Sequence, residues 1–214
     1  MRSERRCIPK LPKTPIWYLV DTCCLVNKYL DAGWATDQNE KDAILSAQEY
    51  WRVIDQQLGK RQCKIFLLDV CIAEAFRVLA KKRYQSTPFF KSKVDYNRTC
   101  DRMSKDLSLG SREAKRMDRN VQYHDIQTCS DIIIGVDRFF EAIFKRGGAG
   151  LRTVDLMLLS TGKYLMDYYG ITKEDLFLIT QDKELYRIAR TLNDLPKAFN
   201  PQDPKDNHRK VFTT

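Results

Sequence analysis

Three short runs of β-favouring, mostly apolar residues constrain the fold of this chain more than any other feature: Ile16 to Val20, Lys64 to Leu68 and Leu176 to Thr180. Helical patterns follow each of them, and that alternation of strand and helix is what a parallel sheet demands. In an open α/β sheet the ligand edge is the one formed by the carboxyl ends of the strands. Residues placed just beyond these runs are therefore delivered to a single edge.

Four acids occupy such places. Asp21 closes the first run, Asp182 comes just after the third, Glu74 follows the second after five intervening residues on the first turn of a helix, and Asp155 opens the helical stretch beginning at Val154. Unit charges about 4 Å apart repel by roughly 4 kcal/mol at an effective dielectric near 20, so four clustered carboxylates need a counter-charge. A divalent cation supplies it, and an all-oxygen donor set suits Mg²⁺ or Mn²⁺. Each acid also has an ordinary structural reading. Asp21 and Asp182 can cap helices, Asp155 lies near the candidate cap Thr153 at the positive end of a helix, and Glu74 can pair with Arg77 three residues on. Taken singly the structural reading leads; convergence of all four on one edge reverses that order.

At these residues the chain resembles the PIN-domain ribonucleases, a family that includes the nuclease toxins of bacterial toxin-antitoxin pairs. Tyr18-Leu19-Val20-Asp21-Thr22 is similar to the family's opening strand, and Phe66 to Glu74 to its second strand and the helix bearing the Glu. Thr153 to Leu159 is similar to its third acidic segment, Leu178 to Leu185 to its fourth, and Leu195 to Asn200 to its short closing strand. The resemblance runs from about Ile16 to Pro201. It implies a three-layer α/β/α PIN-like fold with a central parallel sheet, here carrying a helical insertion. Asp69 departs from the pattern, standing where the family often has Ser or Thr, and reads as the cap of the Glu74 helix. The long insertion is a second departure.

That insertion, about residues 85–124, carries the charge. From Lys81 to Arg119 there are twelve Lys or Arg against five acids, a net of +7 in a chain of net charge +9. Tyr84, Phe89, Phe90, Tyr96 and Tyr123 are interleaved with these cations, the mixture that binders of single-stranded nucleic acid use. A solvated helical hairpin whose aromatics pack on its own body is the plainer reading. Elsewhere, Asp37 is a candidate cap for a long amphipathic helix with core face Ile44, Ala47, Trp51, Ile54 and Leu58, ended by Gly59. Ser130 to Lys145 reads as a helix with Ile133, Ile134, Val136, Phe139, Phe140 and Ile143 inward, and the glycines from Gly147 to Gly150 as the turn after it.

The domain plan is a basic tail over residues 1–15, a PIN-like domain over 16–202 and a polar tail over 203–214. Hydrophobic residues make up 43% of the chain, enough for a sizeable core, and no apolar stretch has the 18 or so residues that span a bilayer. With no signal-type segment at the N-terminus either, the expectation is a soluble, cytoplasmic protein without membrane association. The seven cysteines include no C-x-x-C pair and only His124 and His208 accompany them, so they read as small buried hydrophobes rather than a zinc site or disulfide framework.

The function expected is Mg²⁺- or Mn²⁺-dependent hydrolysis of phosphodiester bonds in single-stranded RNA, with Asp21, Glu74, Asp155 and Asp182 as metal ligands. The resemblance implies products with a 3′-hydroxyl and a 5′-phosphate. Thr22 and Thr180 are candidates to hold the strand-end carboxylates or a metal-bound water. Arg152, Lys183, Lys115, Arg116 and Arg119 are candidates for gripping RNA phosphates. An antitoxin-like protein and a second copy of the chain are the protein partners the resemblance brings in. Two rivals belong to other classes. One is a catalytically silent PIN-like module that binds RNA or serves as scaffold; the other, an aspartyl-nucleophile phosphatase, usually needs a second Asp where this chain has Cys23.

Overall fold

The computed structural model of the chain describes residues 16–60, 62–107, 123–126, 128–145 and 150–206. Five strands form one sheet: β1 (Ile16–Val20), β2 (Cys63–Leu68), β3 (Tyr123–Ile126), β4 (Leu176–Ile179) and β5 (Lys197–Phe199). Their order is β3-β2-β1-β4-β5 and every pairing is parallel. The helices are α1 (Thr22–Tyr29), α2 (Gln38–Gly59), α3 (Asp69–Tyr84), α4 (Lys93–Asp106), α5 (Ser130–Lys145), α6 (Thr153–Tyr169) and α7 (Lys183–Thr191).

Side chains alternate across a strand, so an apolar run buries both faces of a sheet. Tyr18, Val20, Ile65, Leu67, Phe177 and Ile179 pack against residues of α1 to α4, among them Leu25, Ile44, Trp51, Ile54, Leu79 and Met103. Leu19, Phe66, Leu68, Leu176 and Leu178 face Ile132, Phe139, Leu156, Leu159, Leu185 and Ile188 from α5 to α7. The expected three layers around a parallel sheet are thus present. The chain builds β1, β2 and β3 outward in one direction, then returns to place β4 and β5 on the other side of β1. Strand order therefore reverses between β1 and β4, and the crevice at their carboxyl ends is the one where such sheets bind ligands.

Four local expectations change. Gly59 is the last residue of α2 rather than its cap, and Lys60 closes the helix with ordinary negative φ. Residues 123–126, read as the end of the insertion, form the edge strand β3 paired to β2 from Ile65 to Leu68; four residues with a His and an Asp among them carry too weak a pattern to read. In α5, among the residues whose side chains are described, Ile132 and Phe139 are buried, whereas Ile133, Ile134 and Phe140 are exposed. A helix that is apolar on most sides leaves its phase undetermined by sequence, and contact with α6 chooses the stripe through Ile132, Val136 and Phe139. Finally, Phe89 and Phe90 are buried against Trp34 and Tyr96, so these two rings hold the insertion to the domain.

Candidate active site

Asp21, Glu74, Asp155 and Asp182 lie at the edge formed by the carboxyl ends of the strands. Asp21 follows β1 and caps α1, one carboxylate oxygen accepting the amide N–H of Thr22 at 2.6 Å. Its other oxygen, Oδ2, accepts from the Thr180 hydroxyl at 2.7 Å and from the Cys23 thiol at 2.9 Å. Asp182 caps α7, taking the amides of Glu184 and Leu185 on Oδ1. The Thr180 hydroxyl also accepts the Asp182 amide at 3.0 Å. One side chain at the end of β4 thereby fixes both acids that flank the reversal of strand order.

Glu74 stands in the second turn of α3, not the first, because the helix begins at Asp69. It is only 8% exposed, and Oε2 accepts the Thr22 hydroxyl at 3.0 Å while Oε1 faces Arg77 at 3.1 Å and Arg152 at 3.4 Å. Thr22 therefore serves two acids, its hydroxyl holding the α3 carboxylate and its amide Asp21. Asp155 is the third helical residue of α6, and its Oδ2 accepts the Arg152 amide at 2.8 Å. Arg152, not Thr153, holds the cap position. Asp69 is the first residue of α3 rather than its cap, the position that Leu68 holds. It binds the Val70 amide and reaches the Thr128 amide and hydroxyl, which ties α3 to the entry of α5.

Burial dominates the electrostatics. It pushes the Asp21 carboxyl from an ordinary 3.8 up to about 6, against the hydrogen bonds from Cys23 and Thr180 and with a contribution from the charge of Asp155. Asp155 is raised as well, first by burial; the amide and charge of Arg152 oppose this, and Asp182 and Glu74 add to it. Arg152 registers the whole constellation. Burial works against its charge, yet Asp155, Glu74, Asp21 and Asp182 together hold it above its usual range. Four acids from four elements thus act on one guanidinium.

These carboxylates offer hard oxygen donors of the kind Mg²⁺ and Mn²⁺ take, so the donor chemistry fits such an ion. Two of them, Glu74 and Asp155, are paired with Arg152. Among the described residues no set of three or more His, Cys, Asp or Glu stands ready at metal-ligating distances. Lys183, the first residue of α7, is exposed beside Asp182. Lys115, Arg116 and Arg119 lie outside the described residues.

Sequence reasoning missed two members of the site. Cys23 donates to Asp21 and accepts the Gln181 amide at 3.2 Å, bridging the ends of β1 and β4. Gln181 in turn receives Asn27 of α1 and donates to Ala43 and Ser46 of α2. The position of Cys23, two residues past a strand-end acid, was a usable signal for the first. Nothing in the sequence marks the contacts of Gln181.

No family model matches the chain, and no curated protein does. Among solved structures it is similar to VapBC2 from Rickettsia felis bound to a DNA fragment from their promoter, with a TM-score of 0.48 and 13% identity over 86% of this chain and 98% of that one. It is also similar to PAE2754 from Pyrobaculum aerophilum, with a TM-score of 0.45 and 18% identity over 87% of this chain and 85% of that one.

Proposed function

We propose that the chain is a PIN-like endoribonuclease that hydrolyses single-stranded RNA with Mg²⁺ or Mn²⁺. One observation carries the reading: at the reversal of strand order the Thr180 hydroxyl ties Asp21 to Asp182, while Glu74 and Asp155 meet at Arg152. Asp21, Glu74, Asp155 and Asp182 are the residues that would hold the cation. When bound, the cation activates a water and neutralises charge on the phosphate under attack.

The chain's own residues do the rest. Thr180 and Cys23 hold one oxygen of Asp21, and Thr22 orients Glu74, so the carboxylates are positioned before any ligand arrives. Arg152 is 61% exposed at its side chain and points its charge at the same edge, where it can grip a phosphate oxygen. Lys183, exposed beside Asp182, offers a second grip. Lys115, Arg116 and Arg119 are proposed to add phosphate affinity away from the chemistry. With the reading come a cytoplasmic location and two protein partners, an antitoxin-like protein and a second copy; among the described residues no helix is long and apolar enough to cross a membrane.

The test is cleavage of single-stranded RNA in Mn²⁺. Asp21→Asn, Glu74→Gln, Asp155→Asn and Asp182→Asn should each abolish it with the fold retained, and parental cleavage by the Asp21→Asn protein would overturn the assignment. A second reading, a silent RNA-binding or scaffold module, draws on the caps and ion pairs that already occupy every acid. Calorimetric titration with Mn²⁺ separates the two, because the silent module takes up no ion at this edge.

A further inference from the structure

Helix α4 has a face that, among the described residues, the packing of the domain does not use. Its inner side is fixed by buried Thr99 and Met103 and by Tyr96, whose ring meets Tyr84 at 6.1 Å and Phe90 at 5.5 Å. On the outer side Arg98, Arg102 and Lys105 are exposed and line an open groove of about 430 Å³, with Asp101 as the one acid in it. Spacing of four and three residues puts the three cations on one stripe, about 10 Å long at 1.5 Å per residue.

Two properties set this stripe apart from an ordinary solvated face. In three other helices a surface cation is matched to an acid of its own helix: Arg52 with Glu49, Lys163 with Asp167, Arg187 with Glu184. Among the described residues Arg98, Arg102 and Lys105 have no such partner, so their field is open to an anion. Its direction matters too. Helix α3 begins at the edge that bears the acids and runs away from it, and α4 packs back along it with Tyr96 beside Tyr84. Further along α4, Met103 is buried in the cluster that holds Leu79 and Ala75 of α3 and Leu25 of α1, so the helix runs back toward the half of α3 that bears Glu74. Arg77, 70% exposed at its side chain and paired to Glu74, adds a cation on that half of α3.

We propose that the outer face of α4 is a track for the phosphates of a single-stranded nucleic acid whose scissile bond lies at the acids. The direction of the strand rests on the ribonuclease reading above; its binding by this face does not. Since Phe89, Phe90 and Tyr96 are committed to packing, the grip comes from charge rather than from base stacking, and it is tolerant of sequence and steeply dependent on salt.

The experiment measures binding of a short oligouridylate to the full chain in EDTA, across a salt series, so that no cleavage is required. Each single-strand phosphate contact contributes roughly 0.7 to the slope of log affinity against log salt. Arg98→Ser, Arg102→Ser and Lys105→Ser together should flatten the slope by about 2. The control triple, Lys60→Ser, Lys173→Ser and Lys197→Ser, removes the same charge from exposed residues at the opposite edge of the sheet and should leave the slope near the parental value. Equal slopes for the two triples would overturn the track, as would an acidic polypeptide that displaces the oligonucleotide from the parent but not from the α4 variant at matched charge. If the triple variant fails to fold, Lys105→Glu alone serves, with a smaller flattening expected and an unchanged slope counting against the proposal. A lost slope in a protein whose carboxylate variants still cleave would retain the track and sink the ribonuclease assignment.

Discussion

Arg152 and Glu74 face each other across the site, guanidinium to carboxylate at 3.4 Å, while the Arg152 backbone amide binds Asp155. One residue thus serves two of the four acids, by charge and by amide. Only the charge is removed in Arg152→Gln. Two consequences are expected. The carboxylates lose a competitor and should take Mn²⁺ more tightly by a few-fold, a modest effect because a half-exposed cation is screened. RNA affinity should fall at the same time. Calorimetry with Mn²⁺ alone checks the first: unchanged or weaker metal binding would mean that Arg152 is not the charge the acids share.

Asp21 makes the metal-free protein sensitive to pH. Its carboxyl is raised from 3.8 to about 6, so the folded state holds that proton more tightly than the unfolded chain does. The stability this confers is fully present below pH 3.8 and is lost as pH rises through 6, a change of about 3 kcal/mol at 1.36 kcal/mol per unit. Asp155 is shifted in the same direction and adds to it. In EDTA, Asp21→Asn should therefore gain stability over the parent at pH 7, by roughly 1 to 2 kcal/mol once weakened hydrogen bonds are allowed for, and gain little at pH 4. Urea midpoints at the two pH values read this directly. A parent that gains on the variant as pH rises would show the sign to be wrong.

Much of this site was legible because strand-end acids are delivered by topology. Asp21 and Asp182 follow apolar runs, and no detail of packing is needed to place them at one edge. Glu74 and Asp155 came with the helices that bear them, one turn out of place in the first case and with a different cap in the second. What stayed hidden depends on tertiary contact. The exposed phase of Ile133 and Ile134 is decided by α6, β3 is a four-residue edge strand, and Gln181 acts through atoms of α1 and α2. The role of Arg152 lay between these cases: its type suggested phosphate, but only the fold shows it shared among the acids.

Cys23 offers a test of how the carboxylates are positioned. Hydrogen bonding to Cys24, burial and the charge of Asp21 hold its thiol well above the usual range, so it stays an S–H donor to Asp21. Cys23→Ala leaves the buried oxygen with one donor fewer and should cost about 1 to 3 kcal/mol at pH 7, less at pH 4 where Asp21 holds a proton. Cys23→Ser keeps a donor and should restore most of the loss. Equal stability of the Ala and Ser proteins at pH 7 would show the thiol to be filler rather than a hydrogen-bonding partner.

The placement of Asp155 rests finally on how α6, the helix it begins, packs against α5, and Gly135 with Ser160 controls that approach. A Cβ at Gly135 would come within 2.3 Å of the Ser160 hydroxyl, which is held in place by donating to the Ile132 carbonyl at 2.6 Å. On an exposed helix, Gly to Ala gains about 1 kcal/mol from propensity. Here the clash should reverse the sign, and Gly135→Ala is expected to destabilise by about 1 to 3 kcal/mol. Ser160→Ala removes the offending oxygen and leaves the Ser160 Cβ at 3.6 Å, an ordinary contact. In that background Gly135→Ala should be neutral or stabilising, so the double-mutant cycle should return a coupling of about 2 kcal/mol. Additive effects would mean that the two helices adjust freely, and Asp155 would then owe its position to its own cap on Arg152 rather than to the packing of α5 and α6.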